Sequence, residues 1–221
     1  MLKFIAFFVP CFTFAQPTIK DMIAKDSLLY AVTTDGKIKC WNLSTEKKKT
    51  VTHNSRFTFT AISSDKQQNV VVGTNDGKLF TLSDKGLQLL HAMQKPYTIE
   101  HIVFNSQNEP YLIICNALYA PLTHTYWTAF PQQTTVGIRI EKRAKEFFRF
   151  PSCVFVDAHD VIWMTNFYGE FGGSFQLFDS KERKPLNRSI ENLELGLFFP
   201  QSIFSVYCFR LTTSHQLGRY F

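Results

Sequence analysis

The sequence predicts an all-β chain: a β-propeller of four-stranded antiparallel blades. Three observations lead there. A strand, Asp-Gly turn, strand unit at Thr33-Thr34-Asp35-Gly36-Lys37-Ile38-Lys39-Cys40-Trp41-Asn42 returns 41 residues later as Thr74-Asn75-Asp76-Gly77-Lys78-Leu79-Phe80-Thr81-Leu82. A short apolar strand ending in an acid or amide recurs on a similar beat. A period near forty residues built from such units is that of a propeller blade.

The Asp-Gly dipeptide sets each hairpin. A two-residue turn that matches strand twist needs positive φ at its centre. Gly reaches it without a Cβ clash, and Asp tolerates it better than most residues. Leu28-Leu29-Tyr30-Ala31-Val32 precedes the first turn and Val70-Val71-Val72 the second, so apolar and β-branched runs flank both copies.

The second repeat reads Met22-Ile23-Ala24-Lys25-Asp26, Ala61-Ile62-Ser63-Ser64-Asp65, His101-Ile102-Val103-Phe104-Asn105 and Cys153-Val154-Phe155-Val156-Asp157. A weaker fifth copy is Ser202-Ile203-Phe204-Ser205-Val206. Successive copies start 39, 40, 52 and 49 residues apart. They are expected to be the innermost strands of blades starting near residues 18, 57, 97, 150 and 200. About four and a half to five blades are visible, and the last one stops near its third strand; either five blades close imperfectly or the chain is an open or truncated arc, the second being the preferred expectation.

The chain opens like a secretory signal, residues 1–15. Lys3 supplies the positive charge, Phe4 to Phe14 is apolar apart from Thr13, and Thr13 and Ala15 are the small residues before a cut between Ala15 and Gln16. The rivals are a retained anchor and lipidation at Cys11. Eleven apolar residues fall short of the roughly 20 that span a bilayer, and Phe8-Val9-Pro10 lacks the small residue expected beside a lipidated Cys. No other stretch is apolar and long enough to cross, so no transmembrane span is expected in the mature chain. The expected location is periplasmic, cell-surface or secreted.

Composition narrows the partners. The 221 residues carry a net charge of +6. Lys47-Lys48-Lys49 and Lys142-Arg143-Ala144-Lys145 lie beside acids, which dilutes their field, so no nucleic-acid partner is expected. Cys40, Cys115, Cys153 and Cys208 show neither CxxC nor metal spacing. They read as small buried apolar residues, with Cys115–Cys153 the least unfavourable bridge. No metal and no cofactor are expected. The 23 Phe suit blades that pack face to face.

Blade one, from about Thr18 to His53, carries Asp35-Gly36-Lys37-Ile38-Lys39-Cys40-Trp41-Asn42-Leu43-Ser44-Thr45, which resembles the end of a WD repeat. His53, then Ala61-Ile62-Ser63-Ser64-Asp65, then Asp76-Gly77 follow where that family has its Gly-His, inner strand and second turn. The resemblance covers about the first hundred residues and implies the propeller fold. Asn42 stands for the second residue of the Trp-Asp pair, and Thr52 for the Gly before His53. The family's network of His, hydroxyl, Asp and Trp is complete in no single blade. Val156-Asp157-Ala158-His159-Asp160-Val161-Ile162-Trp163-Met164-Thr165 is similar to the repeats of exported regulator-type propellers, where an Asp-containing turn precedes an Ile-Trp strand; the overall resemblance is to the WD-repeat-like, quinoprotein-like propellers.

In blade three, an excursion from Thr123 to Phe150 lengthens the repeat. Val136-Gly137-Ile138-Arg139-Ile140 alternates like a strand. Glu141 to Phe148 reads as one helical turn or a charged loop. Tyr168-Gly169-Glu170-Phe171-Gly172-Gly173 reads as a wide turn in blade four, without the Lys and Ser/Thr of a phosphate loop.

The acid–base candidates are His53, Asp65, His101, Asp157, His159, Asp160 and Glu170. Asp157, His159 and Asp160 are close in sequence but sit on a turn between strands, where Asp and His are ordinary, His53 reads as a structural turn residue, and no nucleophile elbow or zinc pattern appears. The expected function is therefore binding or scaffolding toward another protein or a glycan, without catalysis. Aromatic-rich loops, Tyr126-Trp127 and Phe167-Tyr168, are the candidate contacts. The alternatives are a propeller enzyme of the quinoprotein or glycan-cleaving type, whose acids would converge at the channel mouth, and a sensor fragment of a larger regulator.

Overall fold

A computed structural model describes residues 18–45, 47–50, 56–83, 85–136, 139–167 and 173–186. The chain is an all-β propeller; its described residues form four antiparallel blades and no helix.

Blade one is β1 (Ile19–Lys25), β2 (Leu28–Thr33), β3 (Ile38–Asn42) and β4 (Lys48–Thr50), paired in chain order. Blade two repeats this with β5 (Phe59–Ser64), β6 (Val70–Thr74), β7 (Lys78–Ser83) and β8 (Gly86–Ala92). Blade three has β9 (His101–Phe104), β10 (Pro110–Ile114), β11 (Ala117–Ala120) and a short β12 (Thr125–Trp127). An added hairpin follows, β13 (Ala129–Val136) and β14 (Arg139–Phe147). Blade four is β15 (Cys153–Val156), β16 (Val161–Phe167), β17 (Gly173–Asp179) and β18 (Lys184–Leu186). The innermost strands β1, β5, β9 and β15 pack in that sequence, one on the next.

Each Asp-Gly turn closes by the same bonds. The Thr33 hydroxyl donates to Asp35 and to the Lys37 carbonyl at 3.1 Å. The Thr74 hydroxyl donates to Asp76 at 2.6 Å and to the Lys78 carbonyl at 3.1 Å. Gly36 and Gly77 take φ of 74° and 78°. The Gly36 carbonyl then accepts the Phe59 amide of blade two at 3.0 Å, so the turn also docks its neighbour.

The acid or amide ending each inner strand has an equally local cause. Asp65 Oδ1 accepts the Asn69 amide at 2.7 Å, Asn105 Oδ1 the Glu109 amide at 2.8 Å, and Asp157 Oδ1 the Val161 amide at 2.9 Å. In all three, the residue before that amide has positive φ: Gln68 at 64°, Asn108 at 64°, Asp160 at 66°. Asp26 is different. It sits at φ 51° within a shorter turn, between Lys25 and its pairing partner Leu28.

Three apolar layers glue the blades. Ile23, Val32 and Ile38 of blade one meet Ile62, Val70, Val72 and Phe80 of blade two. The other face of blade two, Ala61, Val71 and Leu79, meets Ile102, Leu112 and Tyr119 of blade three. Val103, Tyr111, Ile113 and Leu118 then meet Val154, Ile162, Met164 and Phe178 of blade four. The alternation that puts successive residues on opposite faces feeds two interfaces from every inner blade.

The excursion is the main departure from expectation. Glu141 to Phe148 is neither a helical turn nor a loop: nearly all of it is strand β14. An isolated helical turn gains one backbone bond for several fixed residues. Pairing with β13 satisfies the segment along its length, from Ala129↔Phe147 to Val136↔Arg139. The strand expected at Val136–Ile140 instead straddles this hairpin's tip, with residues 137 and 138 outside the described set. The hairpin docks on blade four, pairing Gln133, Thr134 and Thr135 with Phe175, Ser174 and Gly173. Short β18 covers only the other half of that β17 edge, at Leu177 to Asp179.

Cys115 is exposed and Cys153 half-buried, and no bond joins them; Cys40 is buried, as a small apolar residue should be. The fifth blade expected near residue 200, with Cys208, and the signal segment with Ala15 and Gln16, lie outside the described residues.

Candidate functional site

A group of hydrogen-bonded aromatic and imidazole side chains lies on the outer rim between blades two and three. It begins with a pairing. In the β11–β12 ladder Tyr119 is directly opposite Tyr126. Their rings lie 4.4 Å apart at 33°. Tyr119 is 1% exposed and Tyr126 40% exposed, so one ring roofs the other.

The Tyr119 hydroxyl meets two imidazoles. His91 Nε2, on β8 of blade two, is at 3.0 Å. His124 Nδ1, in the turn between β11 and β12, is also at 3.0 Å. The two imidazole rings are 5.5 Å apart. A phenol has one proton and can also accept. Tyr119 therefore donates to one nitrogen and accepts an N–H from the other. His124 holds φ 54°, a left-handed conformation uncommon outside glycine.

The surroundings favour the neutral forms of Tyr119, Tyr126 and His91. Burial, reinforced by Tyr126, pushes the Tyr119 phenol up to about 12. Burial and then the neighbouring His124 hold His91 below the ordinary imidazole value. Burial, followed by Tyr97, raises Tyr126.

The other contact candidates are placed differently. Trp127 is a β12 strand residue and half-buried, with its ring edge-on to Phe178 at 4.5 Å. It serves the interface of blades three and four, where the ladder turns it away from Tyr126's face. Phe167 ends strand β16 rather than standing in a loop. Tyr168 lies outside the described residues, as do His53 and Glu170.

The acids do not converge. Asp35 and Asp76 lie in turns after second strands, Asp65 and Asp157 in turns after first strands. In an up-and-down sheet these turns are at opposite ends of the blade. Lys37 and Thr33 hold the Asp35 carboxyl below its usual range. Asp157 Oδ1 accepts the His159 and Val161 amides and Oδ2 the Trp163 indole N–H at 2.9 Å. Asp160 is 2% exposed and bonds Ser106 of blade three. These carboxylates build turns and blade contacts.

Two further features flank the fold. Lys20 Nζ and Glu100 Oε2 pair at 2.7 Å, tying the first strand of blade one to the entry of blade three. The outer face of blade one carries a shallow groove lined by Ile19, Leu29, Trp41, Asn42 and Leu43.

No sequence pattern announced His91, Tyr119 and His124. They are 28 and 5 residues apart on two blades, and only blade packing assembles them.

No protein-family model matches the chain. No curated protein matches it in sequence. Among solved structures it is similar to an extracellular domain assigned to a one component system of B. thetaiotaomicron, with 18% identity over 72% of this chain and TM-score 0.47. It is also similar to an extracellular domain assigned to a hybrid two component system of that organism, with 12% identity over 76% and TM-score 0.46. A third is the computationally designed protein Ika8, with 17% identity over 73% and TM-score 0.42. The chain spans 21%, 22% and 45% of those three chains.

Proposed function

We propose that this chain is an exported, WD-repeat-like propeller that binds another protein or a glycan and performs no chemistry of its own. One observation carries the reading. The acids that a propeller enzyme would gather at one mouth are bonded into turns at opposite blade ends, whereas Tyr126 stands out over the rim on a buried aromatic base. A rigid ring with an apolar face and a hydroxyl edge suits protein and sugar surfaces alike. Export rests on the Lys3-to-Ala15 signal pattern. Among the described residues no helix is long and apolar enough to cross a membrane.

The test uses the protein processed by its own host. N-terminal sequencing is expected to start at Gln16. Immobilised mature protein is expected to retain one stoichiometric partner or glycan from the envelope fraction, and Tyr126→Ala to lose it. Turnover of a glycan or quinone substrate, or a mature protein retained inside the cell, overturns the reading.

A further inference from the structure

We propose that His91, Tyr119 and His124 form an acid-sensitive latch on the rim: a second proton taken up by the two imidazoles breaks the hydrogen-bond set that ties blade two to blade three. The latch stands apart from the binding-module reading, since it needs neither export nor a partner.

The set spans the seam between two sheets. His91 comes from β8 of blade two, Tyr119 and His124 from β11 and the turn after it in blade three. His91 Nε2 and His124 Nδ1 each lie 3.0 Å from the Tyr119 hydroxyl. Around His91 the strand β8 is exposed at Gln88, Leu89, Leu90 and Ala92. His91 thus carries a side-chain bond from an otherwise open edge to the next blade.

Proton counting decides which states close the set. With both rings neutral, the phenol gives its one proton to one ring nitrogen and accepts an N–H from the other. One added proton changes nothing: the charged ring donates to the phenol, and the phenol donates to the neutral ring. Two added protons leave an N–H on both facing nitrogens. Two donors then meet one oxygen, and the phenol O–H has no acceptor in the set. Tyr119 is 1% exposed, so this stranded donor is shut off from water.

The order of uptake follows from position. His124 is exposed and His91 half-buried, so the first proton goes to His124 and the breaking one to His91 Nε2. The ring centroids are 5.5 Å apart, where two imidazolium charges repel. Among the described residues no carboxylate bonds either ring. The groups facing His91 across the seam are the Tyr119 phenol and the His124 ring. On its own blade it lies opposite Leu79, and the next residue along β7, Lys78, is paired with Asp76.

Burial and then His124 hold His91 below the ordinary imidazole value of 6.5. The unfolded chain therefore takes this proton more readily than the folded one. The latch contributes fully above about pH 6.5, and its contribution is lost as pH falls from there through the folded value. Tyr126, stacked on Tyr119 at 4.4 Å, loses its base when the set opens.

The experiment measures amide hydrogen exchange of the full chain between pH 7.5 and pH 5, corrected for the intrinsic rate. In the wild type, protection of β8, β11 and β12 is expected to fall tenfold or more relative to β16 and β17 as pH drops. His91→Gln and His124→Asn each put an amide in the set that can give or accept a hydrogen bond and does not titrate. Each is expected to flatten the fall. Asn also tolerates the φ of 54° at position 124, so it keeps the test open if His91→Gln does not fold. Constant relative protection in the wild type, or an undiminished fall in both variants, overturns the proposal.

Discussion

Asp160 of blade four holds Ser106 of blade three by two bonds: Oδ1 accepts the Ser106 amide at 2.7 Å, and Oδ2 accepts its hydroxyl at 2.5 Å. Lys181 Nζ stands 3.4 Å from Oδ2. This residue is buried and has positive φ. It fastens the turn between the first two strands of blade four to the matching turn of blade three.

The Asp160 pair predicts an acid dependence. Burial pushes the carboxyl up, but the Ser106 hydroxyl and amide and the Lys181 ammonium outweigh it, and the folded value ends below the ordinary 3.8. A depressed folded value means that the unfolded chain binds the proton more readily. The contribution is therefore complete above about pH 4 and lost as pH falls through the folded value. Asp160→Asn, which tolerates the backbone, is expected to cost about 1–3 kcal/mol at pH 7. Urea midpoints from pH 7 to pH 2.5 check this: the gap between wild type and variant should narrow toward the acid end. A constant gap would refute the charge argument.

The repeated turn predicts a ranking. Asn105 is 1% exposed; its Oδ1 accepts the Gln107 and Glu109 amides, and its Nδ2 donates to the Glu109 carboxylate. Asp65 makes the matching bond in the open. Asn105→Ala is expected to cost about 1–3 kcal/mol because it removes a buried amide and leaves two part-buried backbone donors without it. Asp65→Ala should cost less, since water replaces the carboxylate. Chemical denaturation of the two variants side by side gives the order.

The docked hairpin predicts a large effect at Phe130. That ring is fully buried, 5.6 Å from Phe148 and 6.3 Å from Phe178 of blade four. Phe130→Ala is expected to lose about 3–5 kcal/mol. Leu122→Ala, at a side chain 63% exposed, should change almost nothing. Equal effects at the two sites would mean that the hairpin is not part of the cooperative core.

Gln176 predicts a gain. Its amide oxygen and nitrogen are buried without a hydrogen-bond partner, on a residue 3% exposed. Such a group costs roughly 1–3 kcal/mol to keep. Gln176→Met, similar in length and apolar, is expected to raise the urea midpoint; a drop would show that the amide is satisfied in solution.

The elements legible in the sequence are those with local causes. Asp35-Gly36 and Asp76-Gly77 turn where they do because Thr33 and Thr74 bond within four residues and Gly supplies the positive φ. Asp65, Asn105 and Asp157 end their strands because each caps an amide four residues on. Apolar alternation then dictates blades that pack on both faces. What only the tertiary structure decided depends on residues far apart in the chain. The 129–147 excursion pairs with a β17 edge some forty residues later, so no local signal separated strand from loop. Trp127 turns inward because Phe178 lies beneath it, although its composition reads as surface aromatic. His91 meets Tyr119 and His124 only once two blades close on each other, since a hydrogen bond between sheets has no footprint in either sheet's own periodicity.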